Sequence, residues 1–186
     1  PTFNSFPSPF LATLELADLQ LLSNDNWDQT ISKIWTPGTT SALNQLTSFL
    51  RETVTDYEDS RNFVGKSGVS RMSPHLHFGE ISPQMIFNAI CKAHPHDEKV
   101  ECYIKQLGWR EFSYHLLYHF PNTPEKPLRK GFEVFPWKES SHDLDAWKQG
   151  KTGYPIVDAG MRELLQTGWM HNRARMIVGS FLVKDL

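Results

Sequence analysis

The sequence predicts an all-α chain. Apolar residues recur at three- and four-residue intervals through most of residues 41–186, and Ser-Pro pairs and glycines punctuate those runs. No alternating apolar–polar stretch is long enough for a strand. Composition allows a real core: 39% of residues are hydrophobic and 12% aromatic, which excludes a disordered chain. The formal net charge of −2 excludes a wholesale polyanion binder. The charge is uneven, however. Residues 1–98 carry 6 Lys/Arg against 11 Asp/Glu, a net −5, and residues 99–186 carry 13 against 10, a net +3. The only cysteines, Cys91 and Cys102, cannot make a disulfide scaffold. No apolar run approaches the roughly 20 residues of a membrane span, and no charged-then-apolar leader opens the chain, so a cytoplasmic location is expected. The chain starts at Pro1 and stops at Leu186 inside an apolar helical pattern, so it is expected to be a piece of a longer protein.

Residues 1–40 read as an irregular linker. Pro1, Pro7, Pro9 and Pro37 disfavour helix, while Phe3, Phe6, Phe10, Leu14, Leu16, Leu19, Leu21, Leu22, Trp27, Ile31, Ile34 and Trp35 offer scattered anchors. Residues 41–186 form the helical unit. Leu43, Leu46, Phe49, Leu50 and Val54 predict a helix running to about Tyr57, followed by a Gly- and Ser-bearing loop over 59–73. Ser73-Pro74 and Ser82-Pro83 each read as a capping Ser before a first-turn Pro, the second opening a helix to about Ala93. His94-Pro95-His96 is a turn. A long helix is predicted over Asp97–His119, from Val100, Ile104, Leu107, Trp109, Phe112 and Leu116, ended by Pro121, Pro124 and Pro127. Residues 128–141 are irregular. His142–Gln149 is a short helix closed by Gly150. After the Thr152–Pro155 turn, helices are predicted over Val157–Gln166 and Trp169–Val183, divided at Gly168.

Several clusters have chemical character. Gly65-Lys66-Ser67-Gly68 fails as a phosphate loop of the Walker type, because Ser60 stands where the first Gly belongs. Ser70-Arg71-Met72-Ser73-Pro74 sets hydroxyls, a guanidinium and free backbone N–H groups at a helix start, which suits an anion; a plain Ser cap explains the same residues. Cys91, His94, His96 and Cys102 have ligating types, but at a spacing that matches no common metal site, so buried thiols and no metal are expected. His115 and His119 are four apart without the Glu of a zincin, since Leu116 follows His115. Gln106, Arg110 and Ser113 share a helix face with Trp109 at its edge, either a binding face or a core Trp with polar neighbours. Asn172, Arg175, Met176 and Gly179 form another stripe, with Arg173 beside it. That stripe could approach a flat ligand closely or simply pack on another helix. Trp137 and Trp147 read as aromatic anchors.

Taken together, Ser70-Arg71-Met72-Ser73-Pro74 with His77-Phe78-Gly79, Trp109-Arg110-Glu111-Phe112, Lys151 to Asp158, and Gly168-Trp169-Met170-His171-Asn172-Arg173 through Phe181 to Leu186 closely resemble the photolyase/cryptochrome family. The likeness covers roughly residues 37–186 in the family's order and is nearest to the class I cyclobutane pyrimidine dimer photolyases. It implies the first, larger part of a multi-helical FAD-binding domain, truncated, behind an interdomain linker.

The resemblance also implies roles. Tyr57, Val69, Ser70, Arg71, Met72, Ser73, Arg110 and Arg175 would bind FAD. Arg61, Gln106, Trp109, Arg110, Ser113, Asn172, Arg173 and Met176 would meet DNA or the lesion, and Trp137 would be the solvent-near member of the family's tryptophan electron chain. Val69 stands where photolyases usually have Thr, and Gln106 where a Glu commonly binds the dimer. The implied activity is light-driven repair of pyrimidine dimers by reduced FAD, with a cryptochrome-type photoreceptor as the alternative. An antenna chromophore would belong to an N-terminal domain outside this sequence, acidic residues and two inner tryptophans would lie beyond Leu186, and the full-length protein would be a monomer. Weak or no FAD retention is expected of the present chain, because part of the cradle would be missing.

Overall fold

A computed structural model describes residues 14–21 and 28–186. Among these residues every regular element is helical. Phe3, Phe6, Phe10, Leu22 and Trp27, expected as anchors, lie outside the described residues, as does the side chain of Leu16. Leu14, Leu19, Leu21 and Ile34 do not anchor; they are exposed. Within the linker a short helix α1 (Gln29–Ile34) packs on α8 (Pro155–Thr167). Ile31 lies against Gly168, and the Trp35 indole Nε1 donates to the Thr167 carbonyl at 2.7 Å.

Helix α2 (Thr39–Glu52) ends five residues earlier than its apolar period predicts. Thr53 is the reason. Its backbone leaves helical angles, its hydroxyl donates back to the Phe49 carbonyl, and the β-branched run Thr53-Val54-Thr55 resists continuation. A 3-10 turn over Val54–Asp56 then leads into α3 (Tyr57–Ser60). Helix α4 (Ser73–His77) is not capped by Ser73, which is its first helical residue. Ser70 Oγ instead accepts from the Met72 N–H at 3.4 Å. Helix α5 (Pro83–Ala93) starts as predicted, with Ser82 Oγ accepting from the Met85 N–H. A 3-10 turn over Glu98–Val100, capped by Asp97, opens α6 (Glu101–His119). Helix α7 (Ser141–Lys148) is capped by Ser140 through the Asp143 N–H. The Ser140 hydroxyl, with Lys138 and His142, holds the Asp143 carboxyl down at about 2.

Helix α9 (Asn172–Lys184) starts three residues later than the apolar pattern indicates. Gly168 stops α8 in a left-handed conformation, and Thr167 Oγ1 then accepts from the Trp169 N–H, which holds Trp169–His171 outside any helix.

Two apolar clusters result. The first joins α2, α3, α5 and α6 around Leu46, Phe49, Ile86, Ile90, Tyr103 and Leu107. Ile86 and Ile90 are fully buried, each worth roughly 1.5–3 kcal/mol of transfer free energy. The second joins α8 and α9 around Val157, Met161, Met170, Ala174 and Val178. Gly160 permits that approach, since a Cβ there would stand 2.9 Å from Val178 Cγ2. Trp147 from α7 closes this cluster, its Nε1 donating to the Val178 carbonyl.

Candidate cofactor-binding cavity

A cavity of about 250 Å³ opens at the seam between the two clusters. One wall is the segment Val69–Ser73 with Leu76. The floor comes from Tyr57 and from Tyr103, Gln106, Leu107 and Arg110 on α6. The other wall is Trp169, Met170, Asn172 and Arg175.

The loop wall is fixed by directional bonds. The Tyr103 phenol, 4% exposed, donates to Ser70 Oγ at 3.0 Å, and burial pushes its pKa up to about 12. Ser70 Oγ also accepts from the Met72 N–H, so its own hydrogen is free to donate elsewhere. Gln45 Nε2 donates to the Ser70 carbonyl, and Ser60 Oγ to the Gly68 carbonyl. Arg71 sits at φ 52°, a left-handed conformation that a long side chain rarely adopts. Its guanidinium lies 4.5 Å over the Trp169 ring and so spans the seam. A backbone of this kind costs of order 1–3 kcal/mol and persists where its surroundings enforce it, commonly at ligand sites.

Electrostatics give the cavity a sign. Three guanidiniums, from Arg71, Arg110 and Arg175, reach its lining, and no carboxylate does. Arg110 is partly neutralised by Glu111 and rests 4.6 Å over the Tyr114 ring. Gln106 gives one amide hydrogen to the Cys102 carbonyl, leaving its oxygen uncommitted to that contact. An anion with an attached planar group matches this lining.

The structure divides the residues singled out in the sequence. Tyr57, Val69, Ser70, Arg71, Met72, Ser73, Gln106, Arg110, Asn172 and Arg175 come together around the cavity. Arg61, Trp109, Ser113, Arg173, Met176 and Trp137 do not line it. Arg61 lies over the Tyr57 ring, 5.5 Å from its centroid, and donates to Cys102 Sγ at 3.3 Å. Burial is the main cause of the raised Tyr57 pKa, and Arg61 opposes it. Arg173 donates to Asn62 Oδ1 from both Nε and Nη2, pinning α9 to the residues after α3. Trp109 and Met176 are exposed. Ser113 lies about 10 Å along α6 from Gln106, and its hydroxyl turns back to the Trp109 carbonyl. Helix α6 therefore runs on past the cavity, with Gln106 and Arg110 at its lining and Trp109 and Ser113 beyond it. Trp137, exposed, meets Phe135 at a tilt, 4.7 Å between ring centroids, in a separate hollow beside the end of α9.

Tyr103, Leu107, Trp169, Met170 and Leu76 line the cavity without having been singled out as site residues. Tyr103, Gln106, Leu107 and Arg110 form an i, i+3, i+4, i+7 stripe, a signal present in the sequence. The buried-thiol expectation fails for Cys91, which is exposed on the outer face of α5 opposite Ile86 and Ile90. Cys102 is half-buried beside Arg61. His94 Nε2 donates to the Leu50 carbonyl. Among the described residues no three ligating side chains are grouped to hold a metal ion, and no helix is long and apolar enough to cross a membrane.

Residues 103–186 match the family model described as the FAD binding domain of DNA photolyase. A deoxyribodipyrimidine photo-lyase of Agrobacterium fabrum is 45% identical over 175 residues, covering 92% of this chain and 36% of the relative. Cryptochrome-2 of Arabidopsis thaliana is 42% identical over 166 residues, covering 84% of this chain and 27% of the relative. The crystal structure of a bacterial class III photolyase from Agrobacterium tumefaciens superposes with a TM-score of 0.89 at 44% identity, covering 97% of this chain and 38% of that one. That solved relative is described as class III, whereas the sequence motifs point to class I. The chain spans only 36% of the length of the first photo-lyase and 38% of a second, from Synechococcus. An all-helical frame, a guanidinium-lined cavity at its seam and these likenesses together place the chain in the photolyase/cryptochrome family.

Proposed function

We propose that this chain forms part of the FAD site of a light-driven DNA repair enzyme acting on pyrimidine dimers. The carrying observation is the cavity itself: three guanidiniums and no carboxylate, bounded by Val69–Ser73 on one side and α9 on the other. Its volume suits a fraction of a dinucleotide, so this chain would cradle one portion of the cofactor. The donor set fits the phosphate-bearing portion. The free hydroxyl hydrogen of Ser70, the Ser73 hydroxyl and the Arg71 and Arg175 guanidiniums would hold the phosphates; Tyr57, Val69 and Met72 would pack against the remainder. Reduced FAD, once bound, would supply the photoexcited electron that splits the cyclobutane ring.

The residues of the chain do the rest. Gln106, Arg110 and Asn172 would border the space between cofactor and lesion, with the Gln106 oxygen accepting from a pyrimidine imide. Arg61, Trp109, Ser113, Arg173 and Met176, outside the cavity lining, would meet the duplex, and a damaged base pair flips out at a cost of roughly a few kcal/mol. Trp137, exposed and tilted against Phe135, suits the outer end of an electron path. The antenna chromophore would sit on a separate N-terminal domain, and the full-length protein would work in the cytoplasm as a monomer.

Gln106 favours one second reading, a cryptochrome without repair, because an uncharged amide stands where a dimer-binding carboxylate is common, and plant cryptochromes match the chain. The deciding experiment is dimer reversal under blue light by the full-length protein with reduced FAD. Reversal supports repair, whereas flavin absorbance without reversal supports the photoreceptor. Absence of any flavin binding removes both.

A further inference from the structure

His171 stands immediately before α9 and is 2% exposed. Its Nδ1 accepts from the Arg173 N–H at 3.1 Å and so caps the helix. A ring nitrogen that accepts carries no hydrogen, so this geometry assigns a neutral imidazole with its hydrogen on Nε2. Nε2 is buried and has no partner among the described residues. The same ring meets Trp169 edge-on at 6.1 Å, and Trp169 carries the Arg71 guanidinium. His171 thus joins three things: the start of α9, the stacked indole at the cavity, and the loop wall. Asn172 and Arg175, in the first turn of α9, reach the cavity lining.

We propose that His171 is the positioning residue of this site: as a neutral, Nε2-protonated cap it holds the first turn of α9 in place, and its protonation releases that wall. This rests on the proposed FAD site only for its effect on ligand. Protonation would put a hydrogen on Nδ1, facing the Arg173 N–H donor. Charged groups surround the ring from each side. Glu163 on α8, which accepts from the His171 backbone N–H, favours the imidazolium; Arg173 on α9 and Arg71 on the loop oppose it. Burial is the largest influence, and it holds the imidazole below its ordinary range. The folded pKa is lowered, so the cap's stability is complete above about pH 6.5 and declines as pH falls from there toward the folded value. Ligand retention should be acid-labile in the same window.

Three measurements test this, spectra and melts on the chain and a titration on the full-length protein. Long-range ¹⁵N–¹H spectra near pH 7.5 should show His171 as the Nε2–H tautomer; an Nδ1–H tautomer overturns the proposal. Thermal melts from pH 8 to 5 should show wild type losing stability on acidification, His171→Asn flattened over that range because its amide oxygen caps without titrating, and His171→Ala weakened throughout. Identical profiles for wild type and His171→Asn overturn it. FAD titration of the full-length protein should show wild type losing about fivefold more affinity between pH 7.5 and 5.5 than His171→Asn, the worth of one helix cap. FAD binding that falls equally in both overturns the ligand part, while failure of FAD to bind any variant at any pH refutes the cofactor reading and leaves spectra and melts to decide on His171.

Discussion

The two walls of the cavity are built by different means. The Gly68–Ser73 segment that carries the loop wall is held by hydrogen bonds from three separate elements, Gln45 on α2, Ser60 on α3 and Tyr103 on α6. The α9 wall is held mainly by apolar packing on α8, with an imidazole cap at its start and scattered bonds from Arg173 to Asn62, from Trp147 to the Val178 carbonyl and from the His171 N–H to Glu163. Each wall also rests on one close glycine, Gly68 against Ser60 and Gly160 against Val178. Directional bonds fix a backbone in one place, whereas packing tolerates small slides. The loop wall should be the rigid reference and the α9 wall the part that gives.

Substitution of the two glycines is the sharpest way to break this contrast. A Cβ at Gly68 would stand 2.5 Å from Ser60 Cβ and 2.9 Å from its backbone carbon, so Gly68→Ala must displace the loop. The expected loss is about 2–3 kcal/mol in urea unfolding, and a value near zero would mean the loop wall is soft. Next in size is Tyr103→Phe, which removes one buried bond for about 1 kcal/mol. Its phenol resists ionisation to about 12 when folded but ionises near 10 when unfolded. Wild-type stability should therefore fall as pH rises through that interval, and the Phe variant should lack that part of the decline.

Gly160→Ala should cost less than about 1 kcal/mol net. The new methyl would stand 2.9 Å from Val178 Cγ2, with Ala174 Cβ and Met170 Sδ at ordinary contact distance and no backbone atom in the way, and removing a helical Gly returns about 1 kcal/mol of propensity. Equal losses at Gly68 and Gly160 would erase the distinction between the walls. Ser113→Ala, exposed and beyond the cavity, should stay within about 0.5 kcal/mol in the same assay.

The helix-forming stretches were legible because their signals are local. The apolar period of α2, the Ser82 cap and the Gly150 and Gly168 stops act within a turn or two of sequence. The misjudged ends have local causes too, but weaker ones: the Thr53 hydroxyl that ends α2 and the Thr167 hydroxyl that delays α9 compete with an apolar pattern that runs straight through them. The candidate site was half legible. Val69–Ser73, Asn172 and Arg175 carry polar types at helix starts, where ligands gather. Trp169 and Met170 were hidden because they resemble ordinary core residues of a helix, and only the tertiary seam turns them toward the cavity. Trp109 left two readings open, since a large aromatic beside polar donors marks a binding face and a core equally well, and its exposure on α6 removes the core.

The short strap formed by α1 and Trp35 has a practical side. Ile31 covers Gly168, and the indole of Trp35 ties to the last residue of α8, so the elbow that aims α9 is roofed by residues more than a hundred positions earlier in the chain. A shortened version beginning after residue 40 would leave that elbow bare, and any loss of ligand binding it showed would report a missing roof and not a missing contact.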